Sequence, residues 1–150
     1  MLLIRERVDD DLDTCVRLLH EVHRLAGYPI NWPADPPSWL TPQNALGTWV
    51  ALSGERLVGH VVLTAVGDGA EVERLFVDPA ATRQGIGRTL LDHCVTAASE
   101  LGRKLSLEVV DNRGAAVRLY RRAGWLETGR TPIDWGGAHA SELIRFAAPS

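Results

Sequence analysis

The spacing of hydrophobic positions predicts strands and helices in alternation. Leu2 to Val8 reads as a first strand, with Leu2 and Ile4 toward the core. Asp9 to Asp11 supply a helix N-cap. Leu12, Cys15, Val16, Leu19 and Val22 then recur at the i, i+3, i+4 spacing of an amphipathic helix, which Gly27 ends. From Gly27 to Gly47 the texture changes, and Pro29, Pro33, Pro36, Pro37 and Pro42 alternate with Tyr28, Trp32 and Trp39. Prolines at that density exclude a long regular element, and the aromatic residues argue against a solvated linker. The stretch reads as an ordered loop with one helical turn. Trp32 and Trp39 in it either cover the edge of the core or line a pocket. Thr48 to Leu52 and Leu57 to Ala65 form a hairpin across Ser53-Gly54-Glu55-Arg56, and the second run, apolar on both faces, reads as a central strand.

The most informative stretch is EVERLFVDPAATRQGIGRTLL, Glu71 to Leu91. Its strand half has mixed faces: Glu71, Glu73, Leu75 and Val77 share one parity, and Val72, Arg74 and Phe76 the other, so a bulge is expected. Its second half turns at Gly85-Ile86-Gly87 into a helix traced by Ile86, Leu90, Leu91, Cys94, Val95, Ala98 and Leu101, which stops at Gly102. Leu105, Leu107 and Val109 then alternate with polar residues as a strand, completing a right-handed parallel βαβ unit. A further helix runs from about Gly114 to Ala123 and ends at Gly124. Trp125 to Thr131 and Glu142 to Phe146 read as the last strands.

Composition narrows the function classes. The chain has 150 residues, 45% hydrophobic and 23% charged, which is enough for one buried core and too apolar for disorder. A formal net charge of −3 argues against nucleic acid as the main partner. Lys104 is the one lysine, so the cationic chemistry belongs to arginines, whose planar forks suit phosphates. Cys15 and Cys94 match no metal or redox spacing and read as small core residues in a reducing compartment. The start lacks a signal-peptide pattern and no run approaches a membrane span, so a cytoplasmic protein is expected. His20, Glu21 and His23 have no third ligand nearby, and His60 reads as a hydrogen-bonded core histidine.

A strand, a glycine turn and a helix start form a phosphate grip, because the first amides of a helix have no partner within it and sit at its positive end. A P-loop would need Lys-Ser or Lys-Thr after the glycine, and a dinucleotide fingerprint a small residue where Leu90 stands. A tight turn with no ligand is the remaining alternative. The combination of Val77-Asp78-Pro79, RQGIGRTLL, the strand LSLEVV and the helix end LYRRAGW strongly resembles the GNAT superfamily of N-acetyltransferases, with matching blocks from Glu71 to Trp125.

That resemblance implies a fold and a site. The fold is α/β in the α+β sense: a mixed, mostly antiparallel sheet of six to seven strands with a central splayed parallel pair and helices on both faces. The donor is acetyl-CoA, with no metal. Its pyrophosphate would lie on Arg83, Gln84, Gly85, Ile86, Gly87 and Arg88, with Thr89 just inside the helix. Its pantetheine arm would pair with Leu75, Phe76 and Val77 in the gap beside Leu107 and Val109. Thr82 and Arg83 depart from the usual turn, and the expected asparagine falls at Arg113 with Asn112 one place earlier. An amine with a pKa near 10 needs a base, for which Glu73 and Glu71 are the candidates. An N–H of Phe76 or Val77 would polarise the thioester, and Tyr120 occupies the position that protonates the departing thiolate. The acceptor would be a small-molecule amine (an amino acid, polyamine or drug-like base) bordered by Tyr28, Trp32, Trp39 and the Trp135 loop. A protein or peptide amine and a non-catalytic CoA-binding module are the alternatives. A C-terminal edge strand could pair with a second copy to give a homodimer.

Overall fold

The computed structural model describes residues 2–81, 84–112, 114–133 and 140–149. Seven strands form one sheet: β1 (Leu2–Glu6), β2 (Ala45–Ser53), β3 (Arg56–Val66), β4 (Gly69–Val77), β5 (Leu105–Asn112), β6 (Leu126–Pro132) and β7 (Ala140–Ala147). Their order across the sheet is β1-β2-β3-β4-β5-β7-β6, and every neighbouring pair is antiparallel except β4 and β5. Hairpin turns account for β2-β3-β4. The β4–β5 crossover carries helix α3 (Ile86–Glu100), which is why that pair alone is parallel. The last strand is not at the edge. β7 lies between β5 and β6, so the exposed rim on that side is β6, whose residues are mostly solvent-facing.

Each face of the sheet is closed by helices. Helix α1 (Leu12–Ala26) buries Cys15, Leu18, Leu19 and Val22 against Val50, Leu57, Phe76 and Leu40. Its start is fixed by Asp11, which accepts two hydrogen bonds from Arg5, at 2.8 and 2.9 Å, and one from the Val8 amide at 2.8 Å. It ends at Gly27, whose φ of 76° is the left-handed conformation that stops a helix. The proline-rich segment contains the expected helical turn, α2 (Pro36–Trp39), capped by Asp35. On the opposite face, α3 and α4 (Ala115–Arg122) bury Ile86, Leu90, Leu91, Cys94, Val117 and Tyr120 against Val61, Leu63, Leu107, Ile144 and Phe146. Gly59 lets α3 sit this close, because a Cβ there would meet Leu90 at 2.9 Å and Ile86 at 3.0 Å.

Strand β4 carries a bulge. His60 pairs with Phe76 and Val62 with Glu73, so Val61 alone faces both Arg74 and Leu75. Arg74 is the one non-glycine among the described residues with a positive φ, at 54°. Parity therefore reverses in mid-strand. Glu71, Glu73 and Phe76 share the α1 face, whereas Val72, Leu75 and Val77 share the α3 face, and the simple alternation of the sequence does not hold.

Candidate active site

The parallel ladder is very short. Strands β4 and β5 pair only at Ala70 with Leu105 and Glu71 with Ser106, and the Ala70 amide donates to the Lys104 carbonyl at 2.8 Å. Beyond Glu71 the two strands part while β5 pairs with β7 on its other side. The gap forms a cleft of about 430 Å³ lined by Glu73, Arg74, Leu75 and Phe76 of β4, Glu108, Val109 and Val110 of β5, Tyr28, Trp39 and Tyr120. Separating two parallel strands leaves backbone amides and carbonyls without ladder partners, which an amide-bearing ligand arm can satisfy.

A second cavity, of about 500 Å³, follows along β4. Val77, Gln84, Gly85, Ile86, Gly87, Arg88, Leu119 and Arg122 line it. Gly85 caps α3 with a φ of 68°, and the Thr89 amide donates to the Gly85 carbonyl at 3.0 Å, so the first-turn amides of Ile86, Gly87 and Arg88 have no partner inside the helix. Unpartnered first-turn amides at the positive end of a helix dipole are suited to holding an anion. The glycines serve different needs. A Cβ on Gly85 would meet nothing within 4 Å, so its left-handed backbone is what requires glycine, whereas a Cβ on Gly87 would meet Leu119 at 3.1 Å, so Gly87 keeps α4 close to α3. The Thr89 hydroxyl is held by the Gly85 carbonyl at 2.9 Å, and Arg88 pairs with Asp92 at 3.2 Å.

The cleft is electrostatically uneven. Burial, then Glu108 and Glu73, hold the Glu71 carboxyl above its ordinary pKa. Glu71 sits at the closed end of the gap, on the last parallel rung, and Glu73 two residues further into it. Tyr120 is 7% exposed, and burial pushes its hydroxyl well above the usual 10, so it stays protonated. Its ring rests on Phe146 and Trp125. Tyr28 and Trp39 meet at 6.1 Å between ring centres, and burial pushes the Tyr28 hydroxyl up to about 12.

The bulge is braced from behind. His60, fully buried, donates from Nδ1 to the Arg74 carbonyl at 2.9 Å and accepts at Nε2 from the Arg7 guanidinium at 3.0 Å. Its ring stacks on Phe76 at 4.9 Å. Burial lowers the His60 pKa to about 4, and the cations of Arg7 and Arg74 act in the same direction. The expected core histidine therefore supports the strand segment that bears Glu73.

Glu73, Leu75, Phe76, Tyr28, Trp39 and Tyr120 thus come together in the cleft, and Gln84, Gly85, Ile86, Gly87 and Arg88 in the adjoining cavity. Trp32 lies apart. It packs against His20 and His23 of α1, at 5.5 and 5.3 Å between ring centres, and is absent from the cleft lining. Arg83, Arg113 and Trp135 lie outside the described residues. Asn112 is described in backbone only, paired with Ala140. Sequence reasoning missed Arg74, Glu108 and Arg122. The positively charged doublet in LYRRAGW signalled Arg122, but nothing local placed Glu108 in the same cleft as Glu73.

Comparison with known proteins agrees with this architecture. The acetyltransferase (GNAT) family model matches residues 13–125, and the chain belongs to that family. A peptidyl-lysine N-acetyltransferase, YjaB, of Salmonella typhimurium is 34% identical over 87 residues, covering 57% of this chain and 54% of the relative. An L-methionine sulfoximine/L-methionine sulfone acetyltransferase of the same species is 28% identical over 127 residues, covering 83% and 66%. These matches leave a third or more of each relative's length uncovered. The solved ribosomal-protein-S18-alanine N-acetyltransferase of Escherichia coli superposes with a TM-score of 0.77 at 24% identity over 99% of this chain and 94% of that one. Arabidopsis thaliana NAA60 in complex with acetyl-CoA gives 0.74 at 22% over 98% of both. The chain therefore has the fold of that family, and no helix among its described residues is long and apolar enough to cross a membrane.

Proposed function

We propose that the protein moves the acetyl group of acetyl-CoA to a primary amine of a small molecule by direct attack within a ternary complex. The observation that carries this reading is the early end of the β4–β5 ladder, which sets an anion cavity and a carboxylate-lined cleft end to end along Leu75, Phe76 and Val77. The pyrophosphate rests on the amides of Ile86, Gly87 and Arg88, with Arg122 beside them. The donor arm follows β4 into the cleft and presents its thioester near Glu73.

At pH 7 only about one amine in a thousand with a pKa near 10 is neutral, so a proton must be removed at the site. Glu73 takes it, directly or through one water, and Glu71 adds negative charge behind it. The amine nitrogen bonds to the carbonyl carbon, the C–S bond breaks, the thiolate receives a proton from the Tyr120 hydroxyl, and the second proton lost by the nitrogen returns Tyr120 to its neutral form. Free, buried Cys15 and Cys94 suit a reducing cytoplasm. A peptide amine is the second reading, carried by the relatives named for peptidyl-lysine and ribosomal-protein acetylation.

Acetyl-CoA at about 100 times its dissociation constant is expected to add roughly 2.7 kcal/mol of stability, visible as a rise in melting temperature that NAD does not produce. A panel of amines should then accelerate thiol release. Acetyl-CoA stabilisation with no amine-dependent release would instead indicate a binding module. Tyr120→Phe is expected to lower kcat about ten-fold with little change in the dissociation constant of acetyl-CoA, measured by stopped-time thiol assay and titration. Unchanged turnover would remove Tyr120 as the acid.

A further inference from the structure

We infer that the acceptor is an α-amino acid with an apolar side chain, whose carboxylate is bound by Arg74; this rests on the acetyl-transfer reading above. Arg74 is the only cationic residue among the described lining of the cleft, and it adjoins the carboxylate of Glu73. Its backbone is pinned by the His60 hydrogen bond to its carbonyl. Its side chain is pinned as well. The guanidinium lies 4.1 Å from the centre of the Trp39 ring, and its Nε donates to the Trp39 carbonyl at 3.0 Å.

These contacts use one face and one nitrogen of the guanidinium. The two terminal nitrogens make no hydrogen bond among the described residues, and the approach of one of them to Glu73, at 3.7 Å, is too long to be one. A partly buried guanidinium that is held rigid while its outer fork is unused matches a carboxylate in shape and charge. An arginine serving only to fasten α2 to β4 would not need that fork in the cleft.

The neighbouring charges set the class of acceptor. An ammonium group and a carboxylate one carbon apart match a Glu73 carboxylate beside an Arg74 guanidinium. A lysine side chain in a peptide brings no carboxylate to that place. A peptide N-terminus brings only a neutral carbonyl. Tyr28, Trp39, Val22, Ile30 and Leu143 leave an apolar space for the side chain.

The test compares L-leucine, L-methionine and L-phenylalanine with their C-terminal amides and with an Nα-acetyl-lysine peptide, by thiol release from the full chain. The expected kcat/KM for the better free acids exceeds that of their amides by about ten-fold or more. In Arg74→Gln the free acids lose at least that factor and the amides clearly less, so the ratio falls toward one. Acetyl-CoA titration of the variant confirms that it is folded. Amides as good as acids in the parent protein, or an equal loss of both in the variant, would overturn the assignment, and so would release driven by the lysine peptide alone. In those cases acetyl transfer itself stands. Acetyl-CoA binding with no release by any amine would overturn the transfer reading and this inference together.

Discussion

Glu73→Gln is expected to lower kcat for amine acetylation by about 100-fold or more at pH 7, the span that a positioned general base commonly supplies. The substitution keeps the shape of the side chain and removes its ability to hold a proton. With the donor held as proposed, by β4 backbone and the α3 amides, the dissociation constant of acetyl-CoA should change by less than about two-fold, so the loss falls on the chemical step. The pH profile gives a second reading. Without a base the rate follows the neutral fraction of the amine and keeps rising steeply toward pH 9–10, the region of the amine pKa. Glu71→Gln separates the two carboxylates. Glu71 lies on the last paired rung and is held above its ordinary pKa by burial and by Glu108 and Glu73. Its removal takes away one negative charge but leaves the proposed base in place, so turnover should persist. A Glu71 variant that is dead and a Glu73 variant that is active would exchange their roles.

How much of this was legible depended on whether the cause was local. The glycine turn, the α3 pattern and the LYRRAGW helix end are set by residues within one turn of each other, and the structure has each where the spacing put it. The strand-helix-strand spacing predicted the parallel pair, and the resemblance supplied its splay. Three features were less accessible. Strand parity broke at Arg74, where one residue of β3 faces two of β4, and mixed faces hinted at a bulge without locating it. Strand order also resisted reading. β7 inserts beside β5 and leaves β6 at the rim, and nothing in the short strand Glu142 to Phe146 distinguishes an inner from an outer place except the full burial of Ile144 and Phe146. Trp32 and Trp39 look alike in sequence, seven residues apart in one proline-rich stretch. The cap at Asp35 turns Trp39 into the cleft, whereas Trp32 finds the histidines of α1.

The brace behind the bulge gives the last prediction. His60 is neutral in the fold with a pKa of about 4, against an ordinary 6.5 when the chain is unfolded. A histidine whose folded pKa is depressed binds its proton more tightly in the unfolded chain. Its contribution to stability is therefore fully present above pH 6.5 and is lost as the pH falls toward 4, by about 3 kcal/mol over that window. The charged neighbours do not offset this, since protonation would set a third cation between Arg7 and Arg74 and remove the acceptor that Nε2 offers to Arg7. His60→Gln keeps an acceptor near Arg7 but withdraws the donor from the Arg74 carbonyl. At pH 7.5 it should cost about 1–3 kcal/mol, the range for leaving one buried polar group unsatisfied. Between pH 7.5 and 5 the parent protein should lose about 2 kcal/mol more than the variant, because the variant has nothing at that position to titrate. Urea unfolding at the two pH values measures the difference. The bulge that His60 holds also aims Glu73 and the β4 amides, so the folded variant should show reduced kcat with an unchanged dissociation constant for acetyl-CoA. Equal pH sensitivity in parent and variant would mean that His60 is not the buried neutral group, and full activity would mean that the bulge keeps its shape without it.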